Sequence, residues 1–184
     1  MIIKKLRKQA YVVALFLSSA AFTATYAQTG TTNLHVTINP LLSITVQQTD
    51  VTLTFTTLAD YQTNGATTEM TNHLAITSIL PYTVSLAANT GTLAGTGANT
   101  DVVNAAAVSV TAPATTNNNN LPGSTLHTIS ALSTTAAPLI QGSYALAAPA
   151  DVTYSIPQSR VATEILGKTP DTYTTILTYS ISNP

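Results

Sequence analysis

From residue 34 onward the chain alternates apolar and polar positions. Leu34, Val36 and Ile38 are separated by His35, Thr37 and Asn39, Pro40 interrupts, and Leu42, Ile44 and Val46 resume on the same parity. Val51, Leu53 and Phe55 alternate with Thr52, Thr54 and Thr56, and Leu74, Ile76 and Ile79 lead to Pro81. Tyr82, Val84 and Leu86 follow with Thr83 and Ser85 between them, and Val108 and Val110 form a shorter run closed by Pro113. In the second half come Leu126 with Ile129 to Leu132, then Pro138 to Gln141, then Val152, Tyr154 and Ile156 stopped by Pro157. The last run is Tyr173, Thr175, Leu177, Tyr179 and Ile181. A period of two places alternate side chains on opposite faces of a strand. No stretch after residue 28 sustains the helical period. Roughly eight to ten short strands with turn signals between them predict an all-β, antiparallel sandwich.

The connections are also readable. Asn64-Gly65 predicts a tight turn. Residues 91–101 read as a Gly/Thr/Asn loop, and the run Asn117 to Asn120 before Leu121-Pro122-Gly123 as an exposed loop that packs no core. There is no internal repeat and no interdomain linker.

The first 27 residues change the accounting. Lys4, Lys5, Arg7 and Lys8 precede an apolar run from Tyr11 to Phe22, and Thr25-Tyr26-Ala27 ends on a small residue. This is the layout of a secretory signal peptide, so the mature chain is expected to start at Gln28. The apolar run, about 12 residues, is too short to span a bilayer, and no later segment approaches about 20 apolar residues, so no membrane span is expected. The expected organisation is a signal peptide (1–27), an N-terminal extension (28–40) and one sandwich domain (41–184). This signal implies export from the cytoplasm.

The mature chain keeps two basic residues, Arg160 and Lys168, against seven acids, a net charge of about −5 (2 − 7). Nothing basic remains to displace counterions from phosphates, which excludes nucleic acid as the expected partner. The 34 Thr of the mature chain suit a half-buried pleated surface. Charged residues make up 7% of the sequence, against the usual quarter, so hydroxyls and amides must keep the surface wet. With no Cys, the fold must close without disulfides, or with help from a neighbour.

Candidate chemistry is sparse. His35, His73 and His127 have no second His or acid at metal-ligand spacing. His35 falls on the polar parity of its strand, and His73, after Asn72, reads as an edge or turn residue. The acids Asp50, Asp60, Glu69, Asp101, Asp151, Glu164 and Asp171 mostly flank strands, as solvated turn residues do. The glycines of 91–97 lack the Lys and the following helix of a phosphate-binding loop. Ser124 and Ser143 follow glycines without forming a nucleophile elbow. The reading is that the protein is not an enzyme and carries no cofactor, metal or catalytic residue.

The two ends carry more information. Leu34, Val36 and Ile38 form a strand in search of a sheet, either the first strand of its own sandwich or a strand donated to a neighbour. In the second case Pro40, without an N–H to continue the ladder, is the hinge. Asn33-Leu-His-Val-Thr-Ile-Asn-Pro40 resembles the N-terminal extension of chaperone–usher fimbrial pilins of the cysteine-free branch. Leu132-Ser-Thr-Thr-Ala136 and Asp171-Thr-Tyr-Thr-Thr-Ile-Leu-Thr-Tyr179 are similar to a middle and a last strand of the same subunits. The chain departs from the pilin pattern in ending Ile181-Ser-Asn-Pro184, and in having Asp171 where those subunits have Gly.

The resemblance implies an incomplete immunoglobulin-like sandwich with an N-terminal strand extension. Tyr173, Leu177, Tyr179 and Ile181 would form one wall of an acceptor groove. A periplasmic chaperone would hold that groove until Leu34, Val36 and Ile38 of another copy, or of a related subunit, fill it. It also implies passage through the periplasm to the cell surface or an extracellular fibre, and a role in adhesion, with a glycan or host-surface receptor as a further partner. The alternative is a self-complete secreted sandwich that binds a polysaccharide or cell-wall component.

Overall fold

Most of the alternating runs form strands, though Leu34–Ile38 and Val51–Phe55 do not. The computed structural model describes residues 30–184, which divide into two units, residues 30–38 and Asn39–Pro184. The expected signal peptide lies outside the described residues. Residues 30–38 carry no regular secondary structure and are exposed throughout.

The second unit contains β1 (Leu42–Val46), β2 (Ala66–Ser78), β3 (Tyr82–Ala88), β4 (Thr92–Ala94), β5 (Val102–Asn104) and β6 (Ser109–Thr111). These are followed by β7 (Thr125–Leu126), β8 (Thr128–Ile129), β9 (Ala137–Gly142), β10 (Ala145–Ile156) and β11 (Leu177–Ser182). One sheet has the order β1-β2-β10-β6-β8, a second β11-β3-β9-β7, and β4-β5 form a small ribbon. Every ladder is antiparallel. The two larger sheets pack face to face over Leu74, Ile76, Val84, Leu86, Val110, Leu139, Ile140 and Val152, all essentially inaccessible to solvent. The chain is an all-β antiparallel sandwich. Among the described residues no helix is long and apolar enough to cross a membrane.

Several local expectations are corrected. The predicted strand at Ile129 to Leu132 stops at Ile129. Leu132 instead enters the core from a turn, its N–H donating to the Val108 carbonyl at 2.9 Å. The last alternation becomes ladder only from Leu177, because Thr174 exchanges both backbone hydrogen bonds with Ala94 at 2.9 Å and ties the preceding segment to the β4-β5 ribbon. The tight turn expected at Asn64-Gly65 is the end of a helical turn, Asp60–Asn64. With φ of 70° Gly65 closes it, its N–H donating to Asp60 O at 3.0 Å. A second helix, α2 (Gln158–Glu164), went unforeseen; Pro157 at its N-cap presets the entry dihedral and Val161 is its one buried anchor.

The asparagine run is the clearest reversal. Residues 116–119 form α1 (Thr116–Asn119), N-capped by the Thr115 hydroxyl, and Asn118 is fully buried. Its amide donates to the carbonyls of Pro113 at 2.8 Å and Asp151 at 2.9 Å, and its Oδ1 accepts from the Asp151 N–H at 2.9 Å. The β2–β10 register shifts between Ala150 and Val152, where Asn72 adopts φ of 53°. Asp151 sits at that irregularity, and the Asn118 side chain stands in for the missing ladder partner by satisfying both of its backbone groups.

Candidate functional site

The two sheets are not closed alike along their edges. Among the described residues, β11 pairs with β3 on one side and has no ladder partner on the other. β1 likewise pairs with β2 alone. Beyond β1 the chain bends at Gln47 and runs on as residues 51–56, which join no ladder although their burial alternates as a strand's does. Val51, Leu53 and Phe55 point to the core and are half-buried, while Thr52, Thr54 and Thr56 are exposed.

Side chains hold this segment where backbone pairing does not. The Thr68 hydroxyl of β2 donates to the Thr52 carbonyl at 2.5 Å. The Tyr61 ring lies 5.3 Å from that of Phe55, and its hydroxyl donates to the Phe55 carbonyl at 3.3 Å. Asp60 then accepts from the N–H groups of Thr56 and Thr57 at 2.8 and 2.7 Å, bonds that hold its carboxyl below the usual range.

One side of the sandwich is therefore bordered by two extended segments that have no ladder partner there among the described residues, residues 51–56 and β11. They meet one pole from opposite directions: residues 51–56 end there and β11 begins there. Thr52 lies beside Thr68, in the first half of β2, so the segment continues toward the Ala66 end. Leu177 pairs with Ala88 at the far end of β3, and Asn183 returns to Pro81 at the near end, donating to its carbonyl at 2.7 Å. Leu177, Tyr179 and Ile181 face inward from β11 yet, like Ile44, Val51, Leu53 and Phe55, are only half-buried against the core. A row of core-type side chains that a closed sandwich would seal remains partly wet.

A polar chain lies beneath this side. The Tyr179 hydroxyl meets that of Tyr154 on β10 at 2.5 Å, Tyr154 meets His73 Nε2 at 2.8 Å, and His73 Nδ1 meets Gln48 Oε1 at 3.2 Å. The His73 ring stands edge-on to both tyrosines. Burial pushes the Tyr154 hydroxyl up to about 12 and raises that of Tyr179 further, and burial depresses His73. The three groups are neutral at physiological pH and act as a hydrogen-bonded strut between the sheets.

Of the sequence-predicted residues, Leu177, Tyr179 and Ile181 share the inward face of β11. Tyr173 lies ahead of the strand; its hydroxyl donates to the Thr169 carbonyl at 2.7 Å. Leu34, Val36 and Ile38 are 86%, 76% and 77% exposed, so three large apolar side chains at period two are left in water. His73 is no edge or turn residue: it is buried in the body of β2. Asp151 is no solvated turn residue either. Burial pulls its carboxyl up, and hydrogen bonds from the Thr115 and Asn117 side chains and the Asn72 N–H more than offset that, bringing it below the ordinary carboxylate range. His127 Nε2 donates to Gln141 Oε1 at 3.1 Å. Sequence reasoning missed the side-chain partners of residues 51–56. Only the alternation of Val51, Leu53 and Phe55 signalled that segment. The chain matches no protein-family model and no curated protein.

Proposed function

We propose that this protein is a structural subunit of a bacterial surface fibre, pilin-like, that polymerises by donating its N-terminal strand to a neighbour's sheet and serves in adhesion. The observation that carries this reading is the open side bordered by residues 51–56 and β11, whose inward apolar residues stay half-buried and whose outer edges have no ladder partner among the described residues. A strand inserted there would bond to the free edge of β11 and cover that row, which is recognition by strand addition. The same chain carries the strand required, in Leu34, Val36 and Ile38. Fully burying three such side chains is worth about 5–9 kcal/mol gross, at about 1.5–3 kcal/mol each.

The neighbour relations support an immunoglobulin-like assignment with its final strand absent. The order β1-β2-β10 matches A-B-E, β11-β3 matches F-C, and the missing element lies beyond β11. Donation also answers a hazard of this composition, since a charge-poor sheet with a free edge invites uncontrolled pairing unless a specific strand occupies it. Partners on this reading are other copies or related subunits, a periplasmic chaperone in transit, and a glycan or surface receptor for the finished fibre.

The test is gel filtration and unheated denaturing electrophoresis of the mature protein with and without residues 28–40. Detergent-resistant ladders that disappear on truncation, and that a peptide spanning 33–40 blocks, are expected. A stable monomer that fails to fold once 28–40 is removed would make that segment an ordinary first strand and sink the proposal.

A further inference from the structure

Outside residues 34–38, the most exposed large apolar side chains are Leu58 at 71%, Ile176 at 68% and Leu146 at 67%. Two of these are placed in a way the fold alone does not require. Leu58 follows the segment 51–56, and Ile176 immediately precedes β11. Each continues one border of the open side, and both stand at the same end, where Leu177 pairs with Ala88. Beside Ile176 is a hollow of about 290 Å³ lined by Asn89, Thr90, Ala94, Thr174 and Thr175.

The opposite end of the sandwich is apolar as well. The Ile79 N–H donates to the Leu41 carbonyl at 3.3 Å, which sets Leu41 beside the β2–β3 turn and Leu80. Leu41 is 48% and Leu80 51% exposed. No Asp, Glu, Lys or Arg occurs in residues 39–43, 78–83 or 142–147, which build this end.

Chain geometry brings the two ends together. Every ladder in the sandwich is antiparallel, and a strand added antiparallel to β11 runs toward Leu177. Its last residue, Ile38, is therefore delivered to the end that carries Leu58 and Ile176. Only Asn39, Pro40 and Leu41 separate Ile38 from β1, a reach of at most about 14 Å, and proline stiffens the link. The donor's apolar end is thus held against the acceptor's.

From this we infer that Leu58 and Ile176 form a socket for the Pro40, Leu41 and Leu80 end of the next copy of this chain, a second subunit contact beyond the donated strand. The inference rests on the strand-donation reading and adds a face to it. Such a contact restrains the angle between successive subunits, which a strand joined by a free linker would leave loose.

The chain has no cysteine, so paired substitutions report proximity directly. Full-length mature protein carrying Leu80→Cys with Ile176→Cys, or Leu80→Cys with Leu58→Cys, is oxidised and run without reductant. A disulfide needs Cα atoms within about 7 Å. Within one chain Leu80 and Ile176 lie beyond opposite ends of β3, about 20 Å long at its seven residues, so a bridge between them must join two copies. The expected result is a covalent ladder from both pairs. Leu80→Cys with Thr134→Cys, at the same end but on the side of β9, should give none. Polymers that form while neither pair cross-links above that control would overturn the socket and leave strand donation standing. A protein that stays monomeric and does not bind the 33–40 peptide would overturn both.

Discussion

Asn118 offers the sharpest energetic test of the fold. Replacing it by alanine removes three hydrogen bonds, two donated to the carbonyls of Pro113 and Asp151 and one accepted from the Asp151 N–H. The site is buried, so the orphaned backbone groups of Asp151 cannot turn to water at no cost. A net hydrogen bond is worth about 1 kcal/mol, and a buried group left unsatisfied costs about 1–3 kcal/mol, so Asn118→Ala should destabilise by about 3–5 kcal/mol. That is a large share of the roughly 5–15 kcal/mol that holds a domain together. In urea, with a slope near about 2 kcal/mol/M, the midpoint should fall by about 2 M, read by circular dichroism. Asn118→Asp keeps the shape but sets a carboxylate against two carbonyl oxygens, and should be at least as damaging at neutral pH. A loss below about 1 kcal/mol for the alanine variant would refute the reasoning, because it would mean that water replaces the amide and that the β10 irregularity does not depend on Asn118.

Two further outcomes follow from local geometry. Gly65→Ala should unfold the protein or cut its stability severely: a Cβ there would stand 2.2 Å from the Ile156 carbonyl oxygen, at φ of 70°, and backbone cannot yield as a side chain can. Expression level and thermal melting will show it. His73, faced by Gln48, Tyr154 and Tyr179, has a folded-state pKa below its unfolded value of 6.5 because burial disfavours the cation. The unfolded chain therefore binds the proton first, and stability should hold above about pH 6.5 and fall as pH drops below it. The urea midpoint of His73→Gln should be flatter between about pH 7 and 5. An unchanged slope would remove His73 as the cause.

How much of this was written in the order of residues can be judged element by element. Alternation located β1, β3, β6, the second halves of β2 and β10, and the inward face of β11, since a period of two survives wherever one face is buried; β9 was marked by its short apolar run instead. It also marked Leu34, Val36 and Ile38, because an apolar row at strand period is visible whether or not a partner is present. The first half of β2, Thr67 to Thr71, was illegible. It is polar in sequence and becomes strand because β10 pairs with it.

Tertiary structure decided the rest. Alternation treats Val51–Phe55 and Leu177–Ile181 alike, as two strands among several. That both lack a ladder partner on the same side of the sandwich depends on which strands the long β2 and β10 claim as neighbours, and strand pairing joins residues far apart in the chain. Composition made the asparagine run a surface loop, since amides are usually solvated. Asn118 is buried because the β2–β10 register breaks at Asp151, and a backbone group without a ladder partner must find one in a side chain. Periodicity reports which face of a segment is apolar; only the assembled sheets determine whether that face is sealed.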